Sequence, residues 1–243
     1  MVTASGRPCG KLKRTGRTDI DRKVKPAAWV WLSIAIAMSV FISPGVHIWI
    51  GRADGVLPYL SDYVNRAVLL GILLGVPQLR QAYRTPSAVQ QSRDLVLWIS
   101  RAGALSFFMV VVERFDHGLI EVPLTREFPN LVFFSYPRYG SDALRHFDLT
   151  IGLLLVALSE ELLWRRTLME MLLKVGWPKL AVIALSSVTF GCLHWPGGVG
   201  QIAYAALLGL FLAIFYAHYR SLWLVVTIHY LIDLEVFGYF NAP

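Results

Sequence analysis

Two adjacent glutamates lie inside a long apolar run of this chain. Glu160 and Glu161 stand between Leu149 and Leu173 and are followed by Arg165. Ionisable side chains at membrane depth are costly, so they normally face a cavity and find partners there. The pattern therefore predicts a buried polar site, and an active site is its first interpretation.

The spacing of these residues separates two roles. Glu161 and Arg165 are four residues apart, so they stack on one helical face and can form an ion pair. Glu160 lies about 100° away round the helix and has no cation at ideal spacing on its own helix. A desolvated carboxylate outside that pair suits a general base. The alternative is that Glu161 and Arg165 simply fasten helices together.

Two later apolar segments carry histidines. His194 ends one segment, four residues after Phe190, and His229 precedes Asp233 by four residues within the last segment. The second spacing presents an imidazole and a carboxylate on one helical face. A single buried histidine is more often a hydrogen-bonded core residue than a catalyst. Three polar clusters on separate apolar helices, however, can converge on one cavity of a helix bundle.

Such a cavity could hydrolyse a peptide bond without a covalent intermediate. A glutamate with a histidine can hold and deprotonate a water. A second histidine with a hydrogen-bonding neighbour can stabilise the oxyanion that forms when water attacks a carbonyl. Ser159 and Cys192 are adjacent in sequence to these groups and are the alternative nucleophiles.

The composition predicts the elements that must hold these groups. A chain of 243 residues that is 56% hydrophobic and only 16% charged is too apolar for a soluble domain of this size. We therefore predict an all-α, polytopic transmembrane helix bundle. Crossing about 30 Å of hydrocarbon takes roughly 20 helical residues. Seven such stretches, with eight as the alternative count, begin near Ala27, Val64, Leu95, Leu149, Leu180, Ile202 and Leu222.

The basic residues predict the orientation of the bundle. Most of the net charge of +7 comes from residues 1–26, a basic arm directly before the first span, and such a flank indicates a cytoplasmic amino terminus. The arm lacks interleaved aromatic residues, so nucleic acid is not an expected partner. Compact size and short loops favour a prokaryotic plasma membrane. Three later turns fit the positive-inside rule through Arg80, Arg84 and Arg93, then Lys174 and Lys179, then Arg220.

The chain is predicted to divide into four parts. The basic arm of residues 1–26 precedes scaffold spans in residues 27–112. Residues 113–148 form a long connection that would face outward, and residues 149–243 form the catalytic helical core. All the candidate chemistry falls in this last part.

The long connection has its own sequence features. Pro123, Pro129 and Pro137 exclude a long regular helix there. The stretch from Asn130 to Tyr136 is apolar and aromatic. It is either an interfacial or re-entrant piece that covers a cavity mouth, or a plain surface loop.

The ordered set of motifs resembles a known family. It is similar to the CPBP family, which contains the type II CAAX prenyl endopeptidases and related bacterial and archaeal intramembrane glutamic proteases. The likeness covers roughly residues 148 to 240. The motifs that carry it are Glu160-Glu161-x-x-x-Arg165, Phe190-x-x-x-His194 and His229-x-x-x-Asp233.

The resemblance implies an intramembrane endopeptidase in which Glu160 and His194 activate the water. His229 and Asp233 would form or support the oxyanion site, and the ion pair of the first motif would hold the local structure. Eukaryotic relatives resemble this pattern with asparagine at the position of Asp233. Because an ionised aspartate cannot donate to an oxyanion, Asp233 would be protonated or would orient His229.

Helix geometry predicts the depth of the site. At about 1.5 Å per residue, Glu160 and His229 lie near the membrane middle and His194 near the outer end of its span. The cavity would then open outward.

The expected partners are the lipid bilayer and a membrane-tethered protein or peptide substrate, and the resemblance implies catalysis without a metal or cofactor. Microbial relatives are linked to peptide maturation, bacteriocin self-immunity and carboxyl-terminal sorting signals. One alternative is a membrane zinc hydrolase, because Glu160, His194 and His229 are an acceptable ligand set. The other is a non-catalytic immunity, transport or binding protein in which the same groups fasten helices or relay protons.

Overall fold

A computed structural model describes residues 24–50, 56–83, 95–133 and 139–240. Within these ranges the chain is helical and contains no strand, which agrees with the predicted all-α class. The basic arm up to residue 23, and with it most of the predicted cytoplasmic flank, lies outside the described residues, as do Arg84 and Arg93.

Eight helices follow one another along the described ranges, and several contain π-helical turns. They are α1 (Pro26–Ala37, continued by the π-helical Met38–Ile42 and by Ser43–Ile50), α2 (Leu57–Gly75), α3 (Pro77–Tyr83), α4 (Leu95–Asp116, continued by the π-helical His117–Glu121 and by Val122–Glu127), α5 (Asp142–Phe147, continued by the π-helical Asp148–Gly152, by Leu153–Glu161, by the π-helical Leu162–Met169 and by Glu170–Lys174), α6 (Lys179–Leu193), α7 (Gly198–Tyr219) and α8 (Leu222–Phe240).

Three helical stretches of the described chain are long and apolar enough to cross a membrane. They are Pro26–Ile50, Val96–Glu127 and Trp195–Tyr219, and Lys179–Leu193 is a shorter apolar helix. Large apolar side chains also remain exposed along them, such as Phe41 at 66% and Phe107 at 74%, as expected of surfaces that face lipid. The helical membrane character therefore holds, while the count of seven spans stays a prediction.

The first part of the long connection is helical but not a regular helix. α4 continues past Glu113 to Glu127 through the π-helical turn His117–Glu121. Pro123 is tolerated because it is the second residue after a π-helical turn, where the wider helix already breaks the regular hydrogen-bond ladder. Pro129 then opens a short 3-10 turn, Pro129–Leu131.

The apolar stretch from Asn130 to Tyr136 is described only as far as Phe133. The Phe133 backbone N–H donates to the Pro196 carbonyl at 2.8 Å, and its ring lies 5.7 Å from that of Trp195. This part of the connection therefore packs on the turn between α6 and α7. Residues 134–136, and Pro137, lie outside the described residues.

Two glycines allow α6 and α7 to pack closely. A Cβ on Gly191 would lie 2.7 Å from the Ile202 carbonyl oxygen, and a Cβ on Gly209 would lie 2.8 Å from the Phe190 ring. Small residues let membrane helices approach in this way. The close packing places Phe190 against α7 and holds the end of α6 in a fixed position.

Candidate active site

Side chains from six helices surround one cavity of about 270 Å³. Glu160 from α5, His194 from the end of α6, and His229 with Asp233 from α8 all line it. These residues belong to the three polar clusters that the sequence singles out, and the structure brings them together. They lie up to 73 residues apart in the chain (from Glu160 to Asp233).

A buried ion pair supports the base of this site. Arg165 Nε lies 3.1 Å from Glu161 Oε2, and both side chains are completely buried. The predicted pairing therefore exists, although Arg165 falls in a π-helical stretch of α5. Arg165 also donates to the Gly209 carbonyl at 3.2 Å and stacks over the Phe190 ring at 4.4 Å. One guanidinium thus joins α5, α6 and α7 beneath the cavity.

His229 connects this ion pair to the cavity. Its Nδ1 lies 3.0 Å from Glu161 Oε1, and because an ionised carboxylate only accepts, Nδ1 carries the proton. Nε2 lies 3.5 Å from Asp233 Oδ2 and 3.9 Å from Glu160 Oε2, and all three residues line the cavity. Both ring nitrogens are thus surrounded by carboxylates, as in sites where a histidine is oriented for chemistry.

Glu160 is buried, with 2% of its surface exposed, and it is ion-paired. Arg66 Nη1 of helix α2 lies 2.5 Å from Glu160 Oε1. Glu160 stands outside the ion pair of Glu161 with Arg165, but another helix supplies a cation for it that the spacing within its own helix could not predict. Among the described residues, no donor lies within hydrogen-bond distance of Glu160 Oε2.

His194 follows directly on the last residue of α6. Its Nδ1 lies 3.1 Å from the Phe190 carbonyl, and because a carbonyl only accepts, Nδ1 is the protonated nitrogen. Nε2 then carries the lone pair, which can accept a proton or hold a water. The Phe190 ring packs against both His194 and His229, with centroids 5.2 and 5.8 Å away.

Sequence reasoning missed the contribution of α2. Tyr59, Asp62, Asn65 and Arg66 all line the cavity, although this helix was assigned to the scaffold. Asp62 and Arg66 are four residues apart, at the beginning of an apolar segment. The rule that singles out charged residues inside apolar runs would have found them if the predicted span had begun before Val64.

Neither alternative nucleophile lines the cavity. Ser159 is buried, donates to the Val156 carbonyl at 3.0 Å and accepts from Arg66 at 3.3 Å. Cys192 is exposed on α6. In the ranges that the structure describes, no group of three or more histidine, cysteine, aspartate or glutamate side chains has the geometry to hold a metal ion.

Residues 143–234 match the family described as type II CAAX prenyl endopeptidase Rce1-like. This segment of the chain is therefore similar to an Rce1-like domain. The match confirms the resemblance, supports a membrane protease, and contains Glu160, His194, His229 and Asp233, but not α2. No curated protein and no solved structure matches the chain.

Proposed function

We propose that this protein is an intramembrane endopeptidase that hydrolyses a peptide bond of a membrane-associated protein or peptide. Glu160 and His194 activate the attacking water. One observation carries the proposal, namely that these two residues line the same cavity as His229 and Asp233. The Rce1-like domain supports the reaction class.

In the proposed reaction, Glu160 and His194 act on the attacking water. In this mechanism a water in the cavity is held by Glu160 Oε2, which has no donor among the described residues, and by His194 Nε2, since His194 Nδ1 is bonded to the Phe190 carbonyl. Glu160 takes the proton as the water oxygen attacks the substrate carbonyl, which forms a tetrahedral oxyanion. The same proton then passes to the leaving amine as the peptide bond breaks. No covalent intermediate forms on the protein.

His229 and Asp233 act on the oxyanion. With Nδ1 donating to Glu161, a protonated His229 has its second N–H, on Nε2, available for the developing negative charge. Asp233 lies 3.5 Å from this nitrogen, so it orients and balances the imidazolium and need not itself donate. The buried pair of Glu161 and Arg165 keeps the ring in place.

The volume of the cavity supports a short substrate segment. At about 270 Å³ it is slightly below the range of about 300–1,000 Å³ for small-molecule sites, so it suits a short extended stretch of chain rather than a folded domain. Apolar walls formed by Leu69, Leu153, Leu208 and Ile232 suit a peptide that enters from lipid.

The cavity lies at the end of the bundle that we propose faces outward in a seven-span topology with a cytoplasmic amino terminus. Its wall includes Pro44 near the end of α1, Pro58 at the start of α2, Gly197 before α7 and Phe237 near the end of α8. The opposite helix ends carry the basic turns that the positive-inside rule assigns to the cytoplasm. An exported protein with a membrane anchor is therefore the proposed substrate class.

A cleavage assay in lipid nanodiscs tests the proposal. Two internally quenched peptides of one sequence serve as probes: one carries a farnesylated cysteine in a carboxyl-terminal CAAX motif, and the other is held in the bilayer by a palmitoyl chain. We expect the wild type to cleave at least one probe and His194→Ala to lose at least about 10²-fold in rate. Cleavage of neither probe by the wild type, or equal rates for both proteins, would contradict the proposal.

A further inference from the structure

The ion pair between Arg66 and Glu160 joins the two halves of the chain across 94 residues. Arg66 lies on α2, outside the segment that matches the Rce1-like family. Its side chain is only 16% exposed and that of Glu160 only 3%, so water screens the pair weakly. The contact is therefore strong enough to fix the position of Glu160.

Arg66 holds only one of the two carboxylate oxygens. Its Nη1 binds Oε1, while Oε2 has no donor among the described residues, and Glu160 lines the cavity. With Oε1 held by an arginine, Oε2 is the oxygen that remains to accept a proton. In the proposed reaction that proton comes from water.

Arg66 is itself held in place. Its Nε lies 3.1 Å from Asp62 Oδ1 on the preceding turn of α2, and Nη1 also donates to the Ser159 hydroxyl at 3.3 Å. The planar guanidinium therefore contacts one acceptor on its own helix and two adjacent residues of α5. This geometry fixes the orientation of the guanidinium as well as its charge.

We infer that Arg66, oriented by Asp62, is a positioning residue of the peptidase. It holds Glu160 by Oε1 so that Oε2 meets the attacking water. This inference rests on the proposed function. It means that α2 completes the catalytic site, so the Rce1-like segment alone lacks one of the contacts that aim the base.

A purely structural role for Arg66 predicts different kinetics. If Arg66 only fastened α2 to α5, its loss would lower stability and the amount of active protein, and added guanidinium would not restore the rate. If it aims Glu160, its loss lowers kcat and leaves KM almost unchanged, because substrate binding does not depend on the position of the base. A small misplacement of a catalytic group is enough for a large loss.

The test compares the wild type with Arg66→Ala, Arg66→Lys and Glu160→Gln on the two anchored peptides in nanodiscs. The matched control is Arg220→Asn, which removes another partly buried interhelical ion pair, Arg220 with Glu170. Arg220 has a φ of 55°, and asparagine adopts this left-handed conformation readily. Thermal unfolding of every variant in the same nanodiscs measures the structural effect.

We expect Arg66→Ala to lower kcat about 10²-fold, with KM within about twofold of the wild-type value. Added guanidinium should raise the kcat of this variant about tenfold or more. The kcat of Arg66→Lys should lie between those of the wild type and Arg66→Ala, because lysine keeps the charge but lacks the planar guanidinium with its several N–H donors. Arg220→Asn should retain the wild-type kcat. If Glu160→Gln is inactive, the proposed function stands. In that case an unchanged kcat in Arg66→Ala, or a loss of kcat that guanidinium does not restore, would overturn only the inference about Arg66. If the wild type cleaves neither peptide, or if Glu160→Gln cleaves as the wild type does, both the proposed function and this inference are contradicted.

Discussion

Two of the buried acidic groups on helix α5 have different surroundings. Glu160 and Glu170 are each 2% exposed. The Glu170 carboxylate accepts from the Tyr216 hydroxyl at 2.8 Å and from Arg220 at 2.6 Å, so both of its oxygens are bonded. Glu160 has one bonded oxygen and one without a donor in the described part of the chain, and it lines the cavity.

This difference separates a structural carboxylate from a reactive one. Burial and an arginine partner are common to both, so neither property marks a catalytic site. An unbonded acceptor on a residue that lines a cavity is a better indicator, because folded proteins seldom leave buried polar atoms unbonded unless a water or ligand uses them. By this criterion Glu160 is the proposed reactive group of α5, while Glu170 joins α5 to α7 and the turn that follows it.

The comparison predicts its largest effect for Glu160→Gln. The amide keeps the shape of the side chain but cannot take a proton from water, so we expect peptide cleavage to fall about 10²–10⁴-fold. Circular dichroism and thermal unfolding should show a folded protein. Cleavage at the wild-type rate would remove the distinction between the two glutamates.

Arg165→Leu should reduce both cleavage and stability. It leaves Glu161 as a buried carboxylate without its arginine partner, which costs about 3–5 kcal/mol when one partner of a buried pair is lost, and the carboxylate that holds His229 loses its own support. Thermal unfolding and cleavage rates of the purified variant measure the two effects. Wild-type stability would show that the pair does not hold the base of the cavity.

Gly209→Ala should have a smaller effect on cleavage, about tenfold, since over-packing a core costs about 1–3 kcal/mol. The new methyl group would meet the Phe190 ring, which packs against both cavity histidines. Gly71→Ala on α2 is the matched control, because nothing lies within 4 Å of its Cβ position. Equal behaviour of the two variants in unfolding and cleavage would contradict this account of the α6 and α7 contact.

Glu170→Gln tests whether Glu170 has only a structural role. We expect cleavage within about twofold of wild type and a loss of roughly 1.5–3 kcal/mol in unfolding free energy, the range for a hydrogen bond to a charged group. Chemical or thermal unfolding gives the second value. A large loss of kcat without a loss of stability would place Glu170 in the reaction and weaken the contrast.

Metal chelation should have the smallest effect. In the proposed mechanism Glu160 and His194 activate water directly, so incubation with a strong zinc chelator should leave the cleavage rate unchanged. The control is metal analysis of the purified protein before and after treatment. Loss of activity on chelation, with recovery on added zinc, would favour the zinc hydrolase and would assign the open oxygen of Glu160 to a metal.

The sequence by itself determined the helical class, the membrane character, the family resemblance and the residues of three motifs. These features are local: helix geometry fixes which residues four apart share a face, and hydropathy reports burial in lipid. The pairing of Glu161 with Arg165 follows from the same rule. The irregular helix up to Glu127 could not be predicted in detail, because a π-helical turn, which accommodates Pro123, has no clear sequence signal.

Only the tertiary structure decided which residues of different helices meet. Arg66 and Glu160 are 94 positions apart, and their contact depends on how α2 packs on α5. The same packing turns one glutamate toward a cavity and the other toward Tyr216 and Arg220. The physical reason is that spacing along a helix constrains only neighbours on that helix, whereas a cavity and its open acceptor arise from the packing of several helices together.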